Sequence, residues 1–293
     1  MSVEERDPHS GYLMTGHEWN GIKELNTPVP RLVYLFLIAT FLFAVGYWIL
    51  MPAFPTWSTF TKGLLGADDR AAVTASVKQA MVDRSGWTDQ IATRSFAQVE
   101  ADPRLIAAVR ETGRTLFGDN CAVCHGRDAK GGKGFPNLTT SSWLWGGSLE
   151  AIEHTIRVGI NSAHPDTRVS QMPAFGRDGM LKRDEMENVV DYVRSLSNGG
   201  AAGTIPADRI AAGKAVFAAN CAVCHGAEAK GNMEVGAPDL TDRHWIHGGD
   251  ESSLYMDVWG GLKSQMPSWE GRLSPVERRI LALYLLDLGK PRP

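Results

Sequence analysis

The chain has 293 residues, room for about two ordinary domains and a connector, and it balances 30 lysines and arginines against 33 aspartates and glutamates. No basic surface therefore advertises nucleic acid or anionic lipid. All four cysteines fall inside one repeated heptapeptide, NCAVCHG, which leaves none for a separate disulfide framework.

In chain order, residues 1–31 carry 3 basic and 5 acidic groups, and then LVYLFLIATFLFAVGYWILM, Leu32 to Met51, runs for twenty residues without a charge. At about 1.5 Å per residue a helix of this length spans roughly 30 Å, the hydrocarbon thickness of a bilayer. A cleaved signal peptide has a shorter apolar core behind a short basic flank. The long acidic flank here predicts a retained anchor over residues 32–54, ended by Pro52 and Pro55. Charge does not orient it, because Lys23 and Arg31 on one side are balanced by Lys62 and Arg70 on the other. Residues 55–101 read as a linker and stalk, in which ADDRAAVTASVKQAM has helical composition and an acidic start and serves as a stalk or packing helix without chemistry.

Two modules follow, 102–198 and 206–293, joined by the turn-prone NGGAAGTIP, Asn198 to Pro206. They are internal repeats. LFGDNCAVCHGRDAKG and VFAANCAVCHGAEAKG agree at 11 of 16 positions; Pro136-Asn137-Leu138 then answers Pro238-Asp239-Leu240, Trp143 answers Trp245, and QMPAF answers QMPSW.

Cysteines three apart share one face of a helical turn, and a histidine directly after the second lies four from the first, on that same face. C-x-x-C-H thus suits a flat cofactor held by two thioethers with its metal on the imidazole, as in covalent haem c attachment. A zinc site would bring the cysteine pairs closer than the 96 residues between Cys124 and Cys221 and gives no reason for a histidine after each. A thioredoxin-like dithiol wants a strand-to-helix context. The motif predicts two haem c groups, one on Cys121, Cys124 and His125 and the other on Cys221, Cys224 and His225.

A six-coordinate iron needs a second axial ligand. Met172 and Met266 stand in the repeated Gln-Met-Pro, 47 and 41 residues after His125 and His225. The proline keeps each methionine in an extended loop from which its thioether can be aimed. Core filling is the commoner use of methionine, but repetition at equivalent places favours ligation. The bis-histidine alternative would draw on His154, His164, His244 or His247, none of which recurs in both modules. A His/Met set raises the haem potential and suits electron transfer.

Helical patterns open and close each module. Gly113 and Phe117 recur as Gly213 and Phe217, with Tyr192 and Tyr284 in the closing helices. A glycine lets two helices approach and an aromatic fills the crossing. The arrangement resembles the class I cytochrome c fold, so the expected class is all-α: one transmembrane helix and two class I cytochrome c domains in tandem, each closed by its own last helix, with a swap of the axial methionines between the domains left open. Trp143 and Trp245 are expected to pack around the haem, with a propionate contact as the lesser alternative. Pro136 to Met172 is eight residues longer than Pro238 to Met266, and the extra NSAHPDTRVS should sit near the haem edge, as a partner contact or as an inert surface loop.

The segment TGHEWNGIKELNTPVPR, Thr15 to Arg31, followed by the anchor and two c-type modules, resembles subunit III of the cbb3-type cytochrome c oxidases, the CcoP or FixP family. Gly16-His17-Glu18-Trp19, Gly21-Ile22 and Pro28-Val29-Pro30-Arg31 carry the likeness, and His17 is read within it as part of a packing or docking motif rather than as a haem ligand. The resemblance implies a dihaem relay that takes electrons from a cytochrome c and passes them to a monohaem cytochrome c subunit and a haem-copper catalytic subunit. The chain itself would hold no oxygen-reducing centre, lacking the intramembrane histidines such a centre requires. Because bacterial c-type haem attachment is completed outside the cytoplasm, it also implies a single-pass protein of the inner membrane, with residues 1–31 cytoplasmic and both modules periplasmic. Two other readings stand beside it, a free-standing membrane-anchored electron shuttle and a dihaem peroxidase with an open iron.

Overall fold

The structure is a computed structural model that describes residues 5–197 and 205–290, so most of the connector Asn198–Pro206 lies outside the described residues. The chain separates into two compact units, 1–83 and 84–293.

In the first unit, strands β1 (Met14–Trp19) and β2 (Ile22–Leu25) form an antiparallel hairpin across Asn20-Gly21. Both turn residues have positive φ, 50° and 86°, which is the two-residue turn that Asn-Gly favours. This small sheet adds to the all-helical expectation. His17 is exposed on it, Nδ1 3.6 Å from Glu24, and the Trp19 indole donates to Glu24 at 2.9 Å. Helix α1 (Arg31–Leu50) is the apolar segment, and it is long and apolar enough to cross a bilayer. The Thr40 hydroxyl donates back to the Phe36 carbonyl at 2.9 Å, the way such a group is satisfied where no water is at hand. A two-residue ribbon, β3 (Pro55–Thr56) with β4 (Thr59–Phe60), follows.

Helix α2 runs Asp69–Thr93, beyond the stretch whose composition first suggested it. Its far end is no stalk: Trp87 and the fully buried Ile91, with Phe96 and Val99 of α3 (Phe96–Glu100), pack into the core of the second unit. Then come α4 (Pro103–Asn120), the single turn α5 (Ala122–His125) and α6 (Leu149–Val158), followed by α7 (Arg183–Leu196). The second repeat gives α8 (Ala207–Asn220), α9 (Ala222–His225), α10 (Glu251–Gly260) and α11 (Pro275–Leu288). Caps set these boundaries: Asp102 accepts from the Arg104 and Leu105 amides ahead of Pro103, and Ser274 and Glu277 form a capping box ahead of α11.

The two repeats do not close on themselves. Helix α11 packs on α4 and α6, whereas α7 packs on α8 and α10. A first lobe therefore consists of α4, α5 and α6 from the first repeat with α11 from the second, and a second lobe of α7 to α10. Phe117 meets Tyr284 with ring centroids 6.0 Å apart, and Phe217 meets Tyr192 at 5.4 Å. Each opening-helix glycine is where the helices touch: a Cβ on Gly113 would come within 2.6 Å of the Tyr284 Cβ, and one on Gly213 within 2.0 Å of the Asn188 carbonyl oxygen. The expectation that 102–198 and 206–293 are each closed by their own last helix is corrected on this point.

Complementary charge explains the exchange. In α11, Arg278 pairs with Glu153 of α6 at 2.8 Å, Asp287 takes a two-pronged bond from Arg110 of α4 at 2.8 Å, and Arg279 donates to the carbonyls of Ile91 and Arg94. Superposing α7 there, Tyr192 on Tyr284, would put Met186, Ser195 and Glu187 at those three places. All three interactions would be lost, and a carboxylate would face carbonyl oxygens. Conversely Asp191, a buried carboxylate in the second lobe, holds Arg209 at 2.8 Å and Arg194 at 3.3 Å, and α11 would offer Leu283 instead. Stranding buried charges costs several kcal/mol. The apolar seams of the two copies are alike, and the ion pairs choose between them.

Candidate haem-binding sites

Each CAVCH segment is one helical turn. The His125 amide donates to the Cys121 carbonyl at 3.0 Å, and His225 does the same to Cys221. Both cysteines and the histidine of each motif thereby share a face, while Val123 and Val223 between them point to solvent. Burial, with the neighbouring cysteine, pushes the Cys121 and Cys221 thiols up to about 11.

The imidazoles are fixed the same way in both lobes. His125 Nδ1 lies 3.3 Å from the Pro136 carbonyl and His225 Nδ1 lies 3.2 Å from that of Pro238. A carbonyl only accepts, so Nδ1 carries the proton and Nε2 keeps its lone pair. Desolvation lowers both histidine pKa values, holding the rings neutral as a metal ligand must be. Bonding Nδ1–H to a carbonyl is also what orients a ligating imidazole and raises its basicity. The repeated prolines are thus part of the site, a role their position in the repeat had not revealed.

The methionines follow the exchange of the helices. Gly159 ends α6 with φ 71°, and the next residue, Ile160, exchanges backbone bonds with Met266, 2.9 Å in each direction. Gly261 ends α10 with φ 68°, and Leu262 exchanges bonds with Met172 at 2.9 and 3.1 Å. A Cβ at Gly159 would come 2.4 Å from the Met266 carbonyl oxygen and one at Gly261 2.6 Å from that of Met172, so only glycine fits at either position. Met266 packs against the core that holds Phe117, as Cys121 and Ala122 do, and Met172 packs against the cluster of Phe175, Leu181 and Met186, as Val216 and Val258 do. The structure therefore brings Met266 to the lobe of His125 and Met172 to the lobe of His225.

The remaining sequence candidates are elsewhere. His164 Nε2 lies 2.8 Å from Glu270, tying the extra loop of the first repeat to the second. Asn161 reinforces that tie with bonds to the Ser170 and Ser264 carbonyls, both 2.7 Å. Trp143 packs on the first-lobe core and backs onto Gly147, as Trp245 backs onto Gly249. Two side chains that the repeat had not singled out, Trp145 and Arg168, close on each other within the first lobe, the guanidinium carbon 4.9 Å from the ring centroid. Both belong to features that only the first repeat has: His247 stands where the second would place Trp145, and Arg168 lies in the extra loop.

The donor chemistry fits haem c: in each lobe two thiols and a neutral imidazole on one face, and a thioether held on a separate strand-like loop. Residues 11–58 match the family model described as the N-terminal domain of cytochrome oxidase-cbb3, FixP. Residues 110–197 match the cytochrome c family and 208–285 match cbb3-type cytochrome c oxidase subunit III. The chain is 49% identical over 288 residues to the cbb3-type cytochrome c oxidase subunit FixP of Bradyrhizobium sp. (strain ORS 278), covering 97% of each chain. It is 46% identical to FixP of Bradyrhizobium diazoefficiens, again with 97% of each covered, and 40% identical to subunit CcoP of Azospirillum sp. (strain B510), with 99% of each covered.

Proposed function

Since the chain belongs to the FixP/CcoP family of cbb3-type cytochrome c oxidase subunits, we propose that its two haems are ligated across the repeats, one by His125 and Met266 and the other by His225 and Met172. Membership makes it a membrane-anchored, dihaem electron-transfer subunit with two covalently bound haem c groups, working with the other subunits of an oxidase. The thioethers are assigned to Cys121 and Cys124 in the first lobe and to Cys221 and Cys224 in the second. When bound, the haem supplies one-electron exchange at iron. The protein's part would be to offer each iron an imidazole and a thioether, His125 with Met266 and His225 with Met172, a set suited to electron transfer.

The observation that carries the ligand assignment is the backbone pairing of Met266 with Ile160 and of Met172 with Leu262. His125 and His225 contribute a fixed tautomer, and the glycines that end α6 and α10 let the methionine loops lie against those helix ends. Electrons enter from a cytochrome c donor and leave toward a monohaem cytochrome c subunit and a haem-copper subunit. The anchor crosses the inner membrane once, with residues 1–31 cytoplasmic and the lobes periplasmic. What supports that orientation is the chemistry of haem c, which bacteria attach outside the cytoplasm.

Paired variants test the wiring. Met266→Leu with His125→Gly should alter one haem and leave one His/Met signal in the electron paramagnetic resonance spectrum, while Met172→Leu with His125→Gly should leave none. The opposite result refutes the crossed assignment. Protease added to spheroplasts should digest the haem-stained lobes, and protection would overturn the orientation.

A further inference from the structure

Among the described residues, the buried side-chain nitrogens without any hydrogen-bond partner are Trp145 Nε1 and Arg168 Nε. They belong to two side chains stacked on one another. Arg168 forms no ion pair with a described carboxylate; its one side-chain bond runs from Nη2 to the Ala151 carbonyl at 3.3 Å. Desolvation lowers its pKa with no opposing carboxylate to offset it. A half-buried guanidinium and an indole N–H sharing one unsatisfied corner is costly, and the fold does nothing locally to relieve it.

Position identifies what would relieve it. The Arg168 amide donates to the Gly159 carbonyl at 3.1 Å, and the Arg168 carbonyl accepts from Asn161 at 2.7 Å, so the backbone of Arg168 runs beside Ile160, the residue that pairs with Met266. Trp145 lies in the loop between the His125 turn and α6, its ring against Gly236 of the second lobe, where a Cβ would come within 2.3 Å. The corner is thus in the first lobe, next to the strand that presents its methionine. A planar guanidinium with a free Nε edge is built to receive a carboxylate, and an indole N–H adds a second donor. The carboxylates that a c-type haem brings to a lobe are its propionates.

We propose that Arg168 and Trp145 together bind a propionate carboxylate of the haem held by Cys121, Cys124 and His125, and so set that haem's potential apart from the other. The proposal rests on the haem assignment above. The second repeat has neither residue, with His247 in place of Trp145 and no counterpart of the extra loop. The clamp acts on one haem only. A fixed positive charge beside the propionate disfavours the additional positive charge of ferric iron, which raises the potential of that site. The loop that carries Arg168 is itself held down by Asn161, His164, Ser264 and Glu270, so the arginine's position depends on contacts between the two repeats.

The test is a redox titration of the purified full-length, haem-loaded subunit. Arg168→Gln should lower the midpoint of one haem by about a tenfold change in its ferric to ferrous ratio, about 59 mV for one electron, and leave the other unmoved. The haem that shifts should be the one altered by Met266→Leu. Arg168→Lys should recover part of the shift, since the charge returns without the fork. Trp145→Phe keeps the stacking surface and removes only the donor; it should shift the same haem in the same direction, and the propionate bending band in the resonance Raman spectrum with it. If Arg168→Gln loses haem, Trp145→Phe decides. Two haems per chain with unmoved potentials in these variants, or a shift of the haem altered by Met172→Leu, overturns the clamp. Fewer than two haems per chain in the unmodified protein would defeat the haem assignment itself, a separate failure.

Discussion

Gly113→Ala probes the exchange of closing helices directly. The new Cβ would meet the Tyr284 Cβ at 2.6 Å, Cγ at 2.7 Å and Cδ2 at 3.1 Å, whereas carbon atoms rest at about 3.5 Å or more. Helices α4 and α11 must part by about 0.9 Å to restore that separation, which loosens the ring of Tyr284 against Phe117. Overpacking of this kind costs about 2 kcal/mol, and for a unit of this size that lowers the unfolding midpoint by about 4–8 °C. Tyr284→Ala alone removes the ring and costs about 3 kcal/mol. The double variant should be less destabilised than the sum by about 1 kcal/mol, because the ring atoms that the added methyl strikes are gone. Gly113→Ala with Tyr192→Ala should instead be additive within about 0.5 kcal/mol, since Tyr192 packs on Gly213 in the other lobe. Thermal melts of the full-length holoprotein, followed by haem absorbance, measure these four variants and the Tyr192→Ala single variant that completes the second comparison. Coupling of position 113 to 192 and not to 284 would refute the exchanged fold.

Gly159→Ala should remove methionine ligation from the first-lobe haem alone, seen as loss of half the charge-transfer band of Met-ligated ferric haem, because its Cβ strikes the Met266 carbonyl and its φ of 71° disfavours alanine; Gly261→Ala should do the same in the second lobe. Asp191→Asn should destabilise by about 2 kcal/mol, since the buried carboxylate serves both Arg194 and Arg209, and denaturant melts will show whether it does. Glu270 is held below the usual carboxylate range first by its bond to His164 and then by that to Arg157. A depressed carboxylate stabilises above its unfolded pKa and loses that contribution as pH falls through its folded value. Hydrogen exchange over residues 161–170 should therefore quicken on acidification below the ordinary carboxylate range and be quick at neutral pH in Glu270→Gln; an unchanged rate in that variant would remove Glu270 from the closure of the loop.

Much of this protein is legible in one dimension because its determinants are local. Twenty apolar residues make α1 whatever surrounds them, and C-x-x-C-H places three ligand atoms on one helical turn by spacing alone. Duplication exposes the paired Gln-Met-Pro, the glycines at the helix crossings and the aromatics beside them. The Asn-Gly turn at Asn20-Gly21 was also there to be seen, although the hairpin it forms is too short to show as a strand pattern.

What the repeat hides is which copy serves which. A sequence repeated along a chain suggests two self-contained modules, and their apolar seams, Gly113 with Phe117 and Gly213 with Phe217, are built from the same residue types. Only in three dimensions do Arg278 with Glu153 and Arg110 with Asp287 become neighbours, and these long-range ion pairs, with the nearer Asp191–Arg209, favour the exchanged arrangement. The same holds for Arg168, which reads as one charge in a polar loop until the fold turns it onto Trp145. The sequence by itself determines the apolar helix and the two C-x-x-C-H motifs that mark the cofactor, because each is written within one helix length. The tertiary structure alone decides which methionine loop lies against which lobe, because the backbone pairs that decide it, Met266 with Ile160 and Met172 with Leu262, join one repeat to the other.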